Sequence, residues 1–174
     1  MQKLLNEWRT FITEAKKYTK DDVKKAIAKY KGKKVGVVNP FDLANFLNKM
    51  GNIESQFNPY SKNGQFIGAF QIGRNHHKGD LDLAYNPARA AAYLYDFFSK
   101  KMSGVYASNK HLKRAVRQFG EPTLYYLAHN QGKSGAVRIL YAAIGKEKEL
   151  RAGKLDNATL GRMINQNISA INPI

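Results

Sequence analysis

Between Phe41 and Phe57 apolar residues recur every three or four positions, and the pattern then stops at Asn58-Pro59. Phe41, Leu43, Ala44, Phe46, Leu47 and Met50 form one wide face, and Ile53 and Phe57 are spaced to continue it. Asn39-Pro40 in front offers an N-cap and a proline for the first helical position. The spacing therefore predicts a helix buried along one side, which the rest of the chain must cover. Gly51 inside it costs about 1 kcal/mol against alanine. Either close packing or room for a ligand explains its presence.

Glu54 stands beside that stripe, where the helical pattern ends. A carboxyl at such a rim is expected to lose part of its water. Burial raises its pKa, so it can hold a proton near neutrality and give it up. A merely solvated, helix-ending glutamate is the plainer alternative. The next segment is polar and glycine-rich, with Gly64, Gly68 and Gly73 around Gln71. Gly64–Gly68 after Ser61-Lys62-Asn63 reads as a turn and short hairpin.

Elsewhere the chain reads as helices. Residues 2–18 are amphipathic, with Leu4, Leu5, Trp8, Phe11, Ile12 and Ala15 on one side. Docking on the main domain is the favoured reading; a helix lying on anionic lipid is the alternative. Thr19 is placed to cap a helix with Asp21 and Asp22 in its first turn, and Val23, Ala26, Ile27 and Tyr30 as its apolar stripe. Lys31–Lys34 lacks the spacing of a phosphate loop, so nucleotide binding is rejected. Val35–Val38 is an extended lead-in. Asn86-Pro87 starts a helix running to about Lys101. Ser108–Phe119 is a basic helix ended by Gly120, Pro122–His129 a short apolar one, and Gly135–Ile144 another, capped by Ser134. Lys146–Arg151 is a charged, solvated stretch, and Asn157–Ile168 a final helix. Residues 1–38 are assigned to a basic helical extension packed on a main domain, 39–174. His76, His77, Asp80 and Asp82 are close in sequence but lack ligand-pair spacing, so no metal and no cofactor is expected.

Lys and Arg number 29 against 13 Asp and Glu, a net charge of +16. Such an excess attracts polyanions. There is no cysteine, hence no disulfide framework or thiol nucleophile. No apolar run approaches the roughly 20 residues of a membrane span, and the first residues do not read as a secretory signal.

The ordered motifs Glu54-Ser55-Gln56-Phe57-Asn58-Pro59, then Ser61, Gly64, Gly68 and Gln71-Ile72, resemble the signature of the soluble lytic transglycosylases, lysozyme-like enzymes that cut peptidoglycan glycan strands. Ala128-His129-Asn130-Gln131-Gly132 is similar to that family's Ala-Tyr-Asn-x-Gly motif and is followed by Gly135-Ala136-Val137-Arg138. Asn86-Pro87-Ala88-Arg89 and Ala91-Ala92-Tyr93-Leu94 resemble the family helix between them. The resemblance spans about Phe41 to Gly145. The chain departs from the family at Ala69-Phe70 (usually Leu-Met), at His129 (usually Tyr) and near Tyr141, where a late family segment has no counterpart.

The resemblance implies a mainly α, α+β lysozyme-like fold with a small hairpin beside the active-site cleft. It implies Glu54 as the sole catalytic carboxylate, Ser55 helping to hold it, and Gln71 lining the cleft. Asn130 would bind the sugar acetamido group, His129 would take the place of the stacking Tyr, and Tyr93 would lie near Glu54, unless it is simply core. Paired-carboxylate cleavage needs a second acid, and none follows Glu54 before Asp80. The implied reaction is cleavage of the MurNAc–GlcNAc bond with closure of the C6 hydroxyl on C1, giving a 1,6-anhydro end. Two alternatives stay open: a goose-type muramidase using water activated by Asp80 or Asp82, and a non-enzymatic basic binder of polyanions. The expected partners are glycan strands and, through the basic surface, anionic lipid or lipopolysaccharide, with no specific nucleic acid and a monomeric state. The expected setting is synthesis in a host cytoplasm, as for a bacteriophage endolysin or virion enzyme, with action at the cell wall.

Overall fold

The computed structural model describes residues 18–108 and 110–143. The expected helix at 2–18 except for Tyr18, the one at 157–168, Trp8 and the charged run 146–151 lie outside these. The described chain is mainly helical with two small antiparallel sheets. Its elements are α1 (Lys20–Ala28), β1 (Lys34–Val35), β2 (Phe41–Asp42), α2 (Leu43–Ser55), β3 (Lys62–Asn63), β4 (Phe66–Ile67), β5 (Ile72–Gly73), α3 (Arg74–His77), α4 (Leu81–Tyr85), α5 (Pro87–Asp96), a π-helical turn (Phe97–Met102), α6 (Ser103–Ala107), α7 (Lys110–Phe119) and α8 (Glu121–Ala143).

Helix α1 begins where the sequence predicts. The Thr19 hydroxyl accepts from the Asp22 amide at 3.3 Å and the Asp22 carboxylate accepts from the Thr19 amide at 2.8 Å, a reciprocal capping box. Val23, Ala26 and Ile27 are buried in the same apolar cluster as Leu47, Met50 and Leu94, and α1 packs on α2 and α5.

Asn39-Pro40 does not start α2. Strand β2 pairs with β1 and holds the chain extended as far as Asp42. Asp42 is the N-cap, accepting from the Asn45 amide at 3.0 Å and from the Gly32 amide at 2.9 Å. The stripe also ends earlier than its spacing predicts. Ile53 is 43% exposed, and the helix stops at Ser55. Gln56 and Phe57 both turn left-handed, with φ of 52° and 62°. That reversal carries the Phe57 ring back onto Gly51, where a Cβ would come within 2.9 Å of it. Of the two explanations for Gly51, close packing is the one observed.

The predicted hairpin is present. Asn63 faces Phe66 across a two-residue turn, Gly64-Gln65. The sequence did not suggest its third strand, β5, which pairs Ile72 with Ile67 and Gly73 with Phe66. Helix α5 begins at Asn86-Pro87 as expected, with the Asn86 side chain accepting from the Ala88 amide at 3.1 Å. It loses its α register after Asp96. The Ser103 hydroxyl donates to the Phe98 carbonyl, five residues back, at 3.0 Å, which fits the widened turn. Phe97, Phe98 and Met102 point into the core there.

Helix α8 runs through the second motif and breaks at Gly132 (φ 68°, ψ 168°). Its first half is almost wholly buried: Leu124, Tyr125, Tyr126, Leu127 and Ala128 are each at most 5% exposed. Tyr106 donates to the Leu124 carbonyl at 2.7 Å, and Tyr125 shares a 2.7 Å hydrogen bond with Ser103. Glu121, in the first turn, is 1% exposed and accepts main-chain N–H groups from Val37, from Val38 at 3.1 Å and from Asn39 at 2.6 Å. Gly36 (φ 136°) leaves room for it: a Cβ there would stand 2.5 Å from Glu121 Oε2. This clamp ties the β1–β2 connection to the helix that carries half of the candidate site.

Candidate active site

Glu54 closes the last turn of α2, one residue before Ser55, and is half-buried. Its Oε1 accepts a 2.6 Å hydrogen bond from the Tyr126 hydroxyl on α8. No cation pairs with it among the described residues. Burial pushes its pKa above the ordinary carboxyl value of 4.5, and the Tyr126 hydrogen bond pulls partly the other way. Tyr126 itself is pushed up, by burial first and then by the hydrogen bond and the charge of Glu54. It therefore keeps its proton and remains a donor. The Asn130 side chain also hydrogen-bonds the Tyr126 hydroxyl, opposing that rise. Tyr126 and Asn130 are four apart on one helix, so they share a face.

Asn130 opens this chain of hydrogen bonds onto a groove of about 210 Å3. Gln65, Phe66, Arg74, Asn75 and His76 line one side, from the sheet and α3; His129, Asn130, Gln131 and Gly132 line the other, from the break in α8. No carboxylate lines it. Glu54 is not among its lining residues either; it is joined to the groove through Tyr126 and Asn130. His129 stacks near Tyr126, with ring centroids 6.3 Å apart. Burial, partly offset by a hydrogen bond to the Phe70 main chain, lowers its pKa to about 4, so its imidazole is neutral near pH 7. His76 is lowered too, by burial and then by Lys101 and His77. The groove thus offers amides, neutral imidazoles, one guanidinium and the Phe66 ring.

Among the remaining expected site residues, Ser55 and Gln71 are engaged with main-chain carbonyls and Tyr93 with His76. The Ser55 hydroxyl donates to the Ala69 carbonyl at 2.7 Å, with the Gly51 carbonyl at 3.3 Å, and so ties the end of α2 to the sheet segment rather than touching the carboxylate. Gln71 is 5% exposed in a left-handed conformation (φ 50°), and its side-chain amide donates to the Gly68 carbonyl at 2.9 Å. It braces the turn between β4 and β5 and is not among the residues lining the groove. Tyr93 was expected near Glu54. Its hydroxyl hydrogen-bonds His76 Nδ1, and its ring stacks on Phe97 at 6.2 Å. The phenol at Glu54 is Tyr126, which the sequence reading passed over and which meets Glu54 only through the fold. Asp80 and Asp82 are exposed and both hold Arg89, at 2.8 and 2.7 Å. Among the described residues, no group of three His, Cys, Asp or Glu is placed to hold a metal ion. No described helix is long and apolar enough to cross a membrane.

Comparison with family models, with curated proteins and with solved structures returned no match for this chain.

Proposed function

We propose that this protein is a peptidoglycan lytic transglycosylase in which Glu54 is the single acid and base. The observation that carries the reading is the state of that carboxyl: half out of water, raised in proton affinity, unpaired with any described cation, and held by one neutral donor. A carboxyl in that state holds its proton more readily than a solvated one and can still ionise in the next step. Protonated Glu54 gives its proton to the glycosidic oxygen as the bond to C1 breaks. The substrate's own acetamido group supports the positive charge at C1. Ionised Glu54 then takes the proton of the muramoyl C6 hydroxyl, whose oxygen closes on C1. The products are a shortened strand and a 1,6-anhydro end, and the carboxyl returns to its starting state. Tyr126 keeps the carboxyl oriented through both steps, and the amides of Asn130 and Asn75 suit a neutral, N-acetylated sugar in the groove.

Hydrolysis by activated water is the competing outcome. Its nominated second acids, Asp80 and Asp82, are both engaged by Arg89 at the surface, which favours the one-carboxyl route. Mass spectrometry of digested wall, with wild type beside Glu54→Gln, tests the proposal. Anhydro-muramoyl ends from wild type and none from the variant are expected. Reducing ends carrying added water would overturn transglycosylation, and undiminished lysis by the variant would overturn the assignment of Glu54.

A further inference from the structure

His76 stands in the wall of the groove, and its ring is supported from behind. It meets Tyr93 with ring centroids 5.8 Å apart and Phe97 at 5.5 Å, edge-on to both, while those two rings stack on each other. Tyr93 comes from α5, and Phe97 opens the π-helical turn that follows it. Phe97 is buried, so the support belongs to the core. A widened turn of this kind often lies beside a functional site.

Packing fixes the ring; the hydrogen bond to Tyr93 fixes its proton. Burial pushes the Tyr93 phenol up to about 12, so near pH 7 it keeps its proton. Burial, Lys101 and His77 hold His76 below its ordinary 6.5, so the imidazole is neutral, with one N–H and one lone pair. The phenol has no other partner among the described residues, which makes Nδ1 the acceptor of its proton. The imidazole proton then lies on Nε2. Nε2 has no partner among the described residues either, and no buried side-chain nitrogen among them lacks one, so Nε2 is open rather than sealed.

We infer that Tyr93 holds His76 as its Nε2–H tautomer and that this N–H donates to an uncharged oxygen, a hydroxyl or an acetamido carbonyl, of the sugar in the groove. The inference rests on the proposed function for its ligand and adds one contact to that site. A carboxylate on the ligand would take the Arg74 guanidinium in the same wall, which leaves the neutral oxygens to His76. An untethered imidazole can turn over and present its lone pair instead. One tied to Tyr93 presents only a donor, so an N–H of the sugar is refused at this point. Tyr93 does not line the groove and is a positioning residue that acts through His76.

Two measurements on the full chain test this. NMR of the imidazole nitrogens at pH 7 should find His76 protonated on Nε2 and bare on Nδ1, and Tyr93→Phe should turn that signature into a mixture of tautomers. A wild-type His76 that is cationic, or protonated on Nδ1, overturns the inference. In the second measurement the peptide-free wall tetrasaccharide is titrated into Glu54→Gln protein, alone and with His76→Phe, Tyr93→Phe or both. His76→Phe keeps a ring against Tyr93 and Phe97 but removes the N–H, and is expected to weaken binding roughly fivefold. Tyr93→Phe should weaken it roughly twofold to threefold, and the double variant no more than His76→Phe alone, because both act through one N–H. Losses that add, binding that neither change moves, or no saturable binding at all overturns the inference, while anhydro ends released by wild type would still support cleavage. The expected binding pattern in a chain that releases no fragments from any wall would instead overturn the proposed reaction and spare the role of His76.

Discussion

Two glutamates in this molecule are taken out of water, and they are treated in opposite ways. Glu121 is buried to 1% exposure and accepts three main-chain N–H groups from Val37, Val38 and Asn39. Glu54 is less deeply buried but receives a single side-chain hydroxyl. A carboxylate that accepts three fixed amides is part of the scaffold, because most of its acceptor capacity is already committed to the main chain. A carboxyl given one donor is left with an oxygen to spare and a reason to pick up a proton. The two differ in burial and, more sharply, in the number of fixed donors: three for Glu121 and one for Glu54.

Exchanging the carboxyl at 54 should have the largest effect on function and a favourable one on stability. Glu54→Gln is expected to cut wall lysis by at least about a hundredfold, the lower end for removal of a general acid. The raised proton affinity of Glu54 means that folding favours the protonated form. Its stabilising share is complete below the ordinary value of 4.5 and is lost as pH rises through the higher folded value. The variant should therefore melt above wild type at pH 7, with the gap closing as the pH falls below 4.5. A variant that melts lower at pH 7 would break the contrast with Glu121.

Glu121→Ala is expected to do the reverse. It strands three part-buried amides and should cost about 3 kcal/mol in urea unfolding, with lysis falling only as the folded fraction falls. Full stability in that variant would mean that the clamp on residues 37–39 is not holding the β1–β2 connection. A smaller change sharpens the comparison from the donor side. Tyr126→Phe removes the one hydrogen bond that lowers the Glu54 pKa, so the alkaline limb of the pH–rate profile should move upward, with a loss of roughly threefold to tenfold in rate. A downward shift would sink the assigned role of that phenol. The smallest effect is expected from Asp82→Asn, which loosens an exposed contact with Arg89 and should leave lysis unchanged. A clear loss there would bring back the water-activating alternative.

Much of this could be read from local pattern, and what could not is non-local. The N-cap at Thr19, the start at Asn86-Pro87, the stop at Gly120 and the turn after Asn63 are short-range chemistry, and each falls where the residues predict. Asn39-Pro40 misled because a strand pair formed by residues Lys34–Asp42 overrode a good local helix start. Ile53 misled because spacing alone cannot reveal that the chain reverses at Gln56. The acid of the candidate site was legible from its place at the end of a stripe, but its phenol was not. Tyr126 and Glu54 meet across 72 positions of sequence, and nothing near Tyr93 or Tyr126 says which of the two the fold delivers. The partners of Glu121 were hidden in the same way.

The double left-handed step at Gln56 and Phe57 has a consequence for how the acid can be approached. Asn52 and Gly51 carbonyls hold the amides of these two residues at 3.0 and 2.9 Å, and Ser55 is fastened to Ala69. The chain just beyond Glu54 is thus tied back onto its own last turn. On the proposed reaction, that brace would hold the acid in place and leave the sugar to pucker and twist towards it, so stiffness in the backbone would be converted into distortion of the sugar.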